Sequence, residues 1–181
     1  MSNLKNITES IQHKRVTRHF MFWMGIVLLT IPQNVLESEK PFLNELVYKI
    51  CVLIPQIFAS YFFAYFVIPK YLSKKKYIVS FGLILLGTYF FAVLARVFII
   101  HVGEPLVRKP PFEQETILEI LSEFKMLFLH YVPPIYSTVF IFLAVKYFMN
   151  YKAVKEKQLL SKTEKVASEL KTLKAQLNPH F

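Results

Sequence analysis

Residues 77–101 read YIVSFGLILLGTYFFAVLARVFIIH and carry one formal charge, that of Arg96. A helix over this run, at ~1.5 Å per residue, crosses the ~30 Å hydrocarbon core of a bilayer with some tilt. The run is too long for a buried strand, and it sets the fold class as helical and membrane-spanning. Composition agrees: 54 % of the chain is apolar, with 18 Phe, 10 Tyr, only 4 Gly and no Asp. A soluble domain of 181 residues does not gather its apolar residues into runs of this length.

Outward from that run the pattern repeats. Residues 46–68 form a second apolar span with Pro55 inside it, and residues 124–149 another with Pro133 and Pro134 inside it. Residues 20–36 form a first, shorter span whose unbroken apolar stretch stops at Pro32. A basic tail before a short apolar run also describes a signal peptide, but no small-residue cleavage site follows, so a retained helix is expected. The chain therefore reads as an all-α membrane protein: a tail over 1–19, a four-helix transmembrane domain over 20–149, and a cytoplasmic coiled-coil helix over 150–177.

Charge orients the spans. The amino tail, residues 69–76 and the carboxyl segment, with Lys146 at the end of the last span, hold sixteen Lys and Arg. The loops at 37–45 and 102–123 hold three, and they carry eight of the twelve glutamates. Lys and Arg concentrate on cytoplasmic flanks, so both termini are expected in the cytoplasm. The sequon Asn6-Ile7-Thr8 then lies on the wrong side for glycosylation. The same distribution accounts for the net charge of +10 by membrane lipid, and no nucleic-acid partner is expected. Cys51 stands alone, which excludes an intramolecular disulfide and any cysteine-based metal site.

Lys49, Arg96 and Lys125 lie inside the spans, each toward the outer end. A mid-bilayer cation costs about 2.5–3.5 kcal/mol on insertion scales, and these can lower that cost by reaching the interface or pairing with loop glutamates. The sharper reading groups them with His101 and His130 as an outward-facing cluster that binds an anion or responds to pH. Pro133-Pro134 removes two helix donors and is expected to kink the last span.

Residues 150–178 contain neither Gly nor Pro. Leu159, Thr163, Val166, Leu170, Leu173 and Leu177 alternate by four and three, the seam of a two-stranded coiled coil and hence of a homodimer. Tyr147, Tyr151 and Val154 are out of phase with it, which predicts a stutter over 155–158. An amphipathic helix lying on anionic lipid is the alternative, but it needs a wider apolar face.

The seam runs into Leu173-Lys174-Ala175-Gln176-Leu177-Asn178-Pro179-His180-Phe181. This stretch resembles the phosphoacceptor box of the LytS/YehU-type sensor histidine kinases, in which a multi-span sensor and a short coiled coil precede the same motif. The resemblance implies that His180 is the phosphoacceptor, with Gln176, Asn178, Pro179 and Phe181 as its motif. It implies a bacterial cytoplasmic membrane location, a response regulator of the LytTR type as partner, and ATP with Mg in a catalytic domain. That domain has no counterpart here: no Gly-rich phosphate loop appears, and the box stops at Phe181. Residues 178–181 therefore read as the truncated start of the phosphoacceptor region of a longer protein. No metal or cofactor site is expected within this chain. The competing readings are a non-enzymatic membrane anchor whose coiled coil recruits a cytoplasmic partner, and a transporter, which the scarcity of polar residues in the spans disfavours.

Overall fold

A computed structural model describes residues 16–30, 41–109, 111 and 113–177. Among these residues every regular element is helical. Three helices are long and apolar enough to cross a membrane: α2 (Phe42–Leu72), α3 (Tyr77–Val107) and α5 (Phe124–Gln176). They are preceded by α1 (Val16–Thr30) and interrupted by the short α4 (Ile117–Ser122). α1 starts before the expected residue 20 and is too short, as described, to count with the other three. Residues 31–36 of the expected first span lie outside the described residues.

The chain divides into two compact units, Met1–Val139 and Phe140–Phe181. In the first, α3 is the central element: it packs against α2, against α4 and against the first turns of α5. Small residues let α2 and α3 approach closely, the means by which helices also pack in bilayers. Ala59, Ser60 and Ala64 on α2 and Ala92 and Ala95 on α3 are buried. A Cβ on Gly103 would sit 3.3 Å from both Cys51 Sγ and Tyr48 Cδ1, so a larger residue at that crossing requires these side chains to shift slightly. Around this seam the rings of Phe62, Phe63 and Phe91 meet edge to face. α1 docks on α2 through Trp23 beside Tyr61 and a 3.0 Å hydrogen bond between His19 Nδ1 and Tyr61 Oη.

Three prolines in these helices lie in or just after widened turns, whereas Pro55 sits within the α-helical stretch Phe42–Tyr61. Three stretches widen to π-helical geometry: Phe62–Leu72, Ile99–Gly103 and Leu127–Tyr131. The first contains Pro69, and the other two end just before Pro105 and Pro133. A proline ring collides with the carbonyl four residues earlier, and a widened turn relieves that collision without ending the helix. The Pro133-Pro134 pair thus sits inside a continuous helical path, and the α-helical stretch Val132–Leu177 begins one residue before the pair.

Two expected loops prove shorter than hydropathy suggests. α2 continues to Leu72 and closes with Lys76 N–H on Tyr71 O and Lys75 N–H on Leu72 O, both 3.0 Å. Lys75 occupies the left-handed position of this Schellman cap with φ 59°, where glycine is usual. α3 runs past His101 to Val107, and Thr116 then caps α4 reciprocally with Glu119.

The described part of the second unit is the remainder of α5. Every residue from 147 to 176 is exposed, including Leu159, Val166, Leu170 and Leu173 of the expected seam.

Candidate functional site

The polar centre of the first unit is Arg96. α3 carries it into an apolar helix, so its guanidinium must find partners within the protein. Its Nε donates to Glu115 Oε2 at 3.1 Å, and Nη2 donates to the other oxygen of the same carboxylate. Nη1 donates to Tyr131 Oη at 3.1 Å. The forked pair matches the planar geometry of both groups, which makes it stronger than a single contact. The Arg96 side chain is 14 % exposed and that of Glu115 36 %, so the pair straddles the edge of the packed region.

Glu115 belongs to the segment leading into α4, and its neighbour Gln114 donates to Ile100 O at 3.3 Å. Tyr89 Oη donates to Leu121 O at 2.7 Å at the end of α4. These three contacts hold the 113–122 segment on α3. At the α4 start, the Thr116 N–H donates to Glu119 Oε2 at 2.7 Å, which holds the Glu119 carboxyl below its usual range.

The other residues singled out in the spans take no part in the Arg96 hydrogen bonds. His101 on α3 and His130 and Lys125 on α5 are exposed, and Lys49 on α2 is half-buried. Gln176 is exposed on the last turns of α5, while Asn178, Pro179, His180 and Phe181 lie outside the described residues. No group of His, Cys, Asp or Glu among the described residues is placed to hold a metal ion.

Sequence reasoning passed over two features. Tyr131 is hidden in an apolar run, yet it is buried and completes the Arg96 cluster. Gln56 is 2 % exposed, and its Nε2 donates to Pro134 O at 3.0 Å, tying α2 to α5 at the proline pair. A glutamine beside a proline inside an apolar span was a usable signal, because a buried amide needs a partner. Near the α3 end, a cavity of about 540 Å³ is lined by Tyr48, Ile99, Glu104 and Arg108 among others, with Glu104 and Arg108 paired at 3.1 Å.

Among the described residues, these features define an all-helical architecture with three helices long and apolar enough to cross a membrane and a polar clamp on the central one. No family model, curated protein or solved structure matches the chain.

Proposed function

We propose that this chain is the membrane sensor and transmitter part of a two-component histidine kinase. The observation that carries the reading is the Gln176-Leu177-Asn178-Pro179-His180-Phe181 motif, whose first two residues end the continuous helix Val132–Leu177 that leads out of the last apolar run. In this reading four spans cross the bacterial cytoplasmic membrane, and both termini are cytoplasmic. The exposed leucine stripe pairs two copies as a coiled coil, which presents His180 to an ATP-binding domain.

The chemistry suits the residue. A neutral imidazole nitrogen attacks the γ-phosphoryl group of ATP, ADP leaves, and the ring N–H proton is lost to give a phosphoramidate. The phosphoryl group then passes to an aspartate of a response regulator. ATP and its magnesium do not fit this chain: its glycines all lie inside α1 and α3, so none forms a phosphate-cradling loop. Autophosphorylation therefore needs a catalytic domain in addition to these residues.

The test supplies that domain. Membranes carrying the chain are incubated with labelled ATP and a catalytic domain of the resembling class. Acid-labile, alkali-stable phosphate is expected on the wild-type chain and absent from His180→Gln. Label that persists in His180→Gln, or never forms, sinks the reading. The exposed stripe over 159–173 also suits a coiled-coil adaptor, for which His180→Ala is silent and partner capture depends on stripe residues such as Leu170 and Leu173.

A further inference from the structure

A second cavity, of about 360 Å³, lies between α3 and the first turns of α5. Its size falls within the ~300–1,000 Å³ of small-molecule sites. Its floor is buried: Thr88, Ala92 and Leu127. Its rim is not, because Leu85 is 54 % and Phe128 65 % exposed. On helices of this hydropathy the mouth therefore opens toward the acyl region of a bilayer rather than toward water.

The polar groups at its wall are already engaged. Thr88 Oγ1 donates to Ile84 O at 2.6 Å and takes a hydrogen bond from Tyr136 Oη. Tyr89 gives its hydroxyl to Leu121 O at 2.7 Å, and its ring stacks on Phe124 at 5.4 Å. What remains is an apolar trough, and burying hydrocarbon there is favourable. The one charged residue lining it is Lys125. Lys125 is exposed and belongs to neither ion pair among the described residues, which are Arg96–Glu115 and Arg108–Glu104.

An apolar trough with one uncommitted ammonium beside it matches an amphiphile with an acyl chain and an anionic head. We propose that this cavity is a binding site for an anionic glycerophospholipid, with one acyl chain over Ala92 and Thr88 and the phosphate at Lys125. The chain follows α3 from Ala92 to Leu85, a path of roughly 10 Å at the helical rise. This site requires only that α3 and α5 lie in a bilayer; it is independent of any phosphorylation at His180.

The experiment uses the full chain in bilayers of equimolar phosphatidylcholine and phosphatidylglycerol. Native mass spectrometry after release into detergent counts retained lipids, and phosphatidylglycerol with a diazirine on its acyl chain maps the contact. Preferential retention of phosphatidylglycerol is expected, with labelling on the peptides that contain Leu85 or Phe128. Lys125→Gln is expected to lower phosphatidylglycerol retention about fivefold, the equivalent of the ~1 kcal/mol one lysine contributes beside anionic lipid. Leu85→Trp fills the mouth from an exposed position, so the fold tolerates it, and it is expected to lower retention and labelling together. Equal retention of the two lipids, retention indifferent to Lys125→Gln, or labelling confined to other helices overturns the proposal. So does selective retention of free fatty acid in place of phospholipid.

Discussion

Removing the Glu115 carboxylate tests whether the Arg96 cluster holds the 113–122 segment to α3. In the intact protein the guanidinium directs two hydrogen bonds to Glu115 and one to Tyr131. With Arg96 only 14 % exposed, Glu115→Ala leaves a charge that water reaches in part. Breaking a fully buried pair costs ~3–5 kcal/mol, and breaking an exposed one ~0–1 kcal/mol. Glu115, at 36 % exposure, is screened by solvent on one side, which places this pair between those limits. We expect Glu115→Ala to cost about 2 kcal/mol of unfolding free energy. Arg96→Met alone leaves the carboxylate able to turn to water, and about 1 kcal/mol is expected. The double variant leaves no stranded charge, so its cost should not exceed the larger single cost, and the cycle should return a coupling of roughly 1 kcal/mol. The assay is reversible unfolding in mixed micelles titrated with dodecyl sulfate, followed by far-ultraviolet circular dichroism. Costs that simply add, with coupling below about 0.3–0.5 kcal/mol, would refute the clamp, because sites without shared partners are additive to that level.

Three further expectations can be checked on the same protein. Lys75→Gly removes a left-handed non-glycine residue from the cap of α2 and should raise stability by about 1 kcal/mol in the same titration; an unchanged midpoint would count against the cap geometry. A Cβ on Gly87 lies 3.0 Å from Phe62 Cε1 and 3.4 Å from Phe63 Cζ, so Gly87→Val should destabilise by about 1–3 kcal/mol. Gly87→Ala should be close to neutral, since better helix propensity offsets a small ring shift. Glu119 has a folded-state pKa below its usual 4.5, so its contribution to the α4 cap is present above that value and lost as pH falls through the lower folded one. Protection of the Thr116 and Glu119 amides, taken relative to their intrinsic exchange rates, should hold at neutral pH and fall away in acid as the carboxylate is protonated, and Glu119→Gln should flatten that dependence.

The long helices were legible because hydropathy alone marks them. Their ends were not, because hydropathy records membrane depth and not helix length. α3 passes His101 and continues through Glu104, whose carboxylate pairs with Arg108 one turn on. That i,i+4 pair supports helix in residues that read as loop. The clamp was half legible: an intramembrane arginine calls for a glutamate, but the 102–123 segment holds five of them. Choosing Glu115 depends on the path of the chain back toward α3, and the capping box at Thr116 that fixes this path is a local signal weaker than the charges around it. The sparse polar residues of the spans were discounted, and Gln56, Ser60, Thr88 and Thr138 turn out to be buried there. Ser60 and Thr138 make local hydrogen bonds, to Gln56 O at 2.7 Å and Pro134 O at 3.0 Å, whereas Gln56 reaches Pro134 O and Thr88 meets Tyr136 on α5.

The proline pair on α5 bears on how any signal would travel. Two prolines in succession invite the picture of a free hinge. The preceding π-turn and the surrounding donors describe a pinned one instead. Pro134 O accepts hydrogen bonds from Gln56 Nε2, Ser137 Oγ and Thr138 Oγ1, all at 3.0 Å. Of these three, only the Gln56 bond joins α5 to another helix, and interhelical hydrogen bonds in membranes average ~0.6 kcal/mol with a maximum near 1.7 kcal/mol. A ligand that moves an equilibrium from one extreme to the other needs about 5.5 kcal/mol of differential affinity. The Gln56 contact is thus large enough to bias the position of α5 and too small to lock it. Gln56→Leu is accordingly expected to change the threshold of a response without abolishing it, whereas a lock would leave the variant permanently in one state.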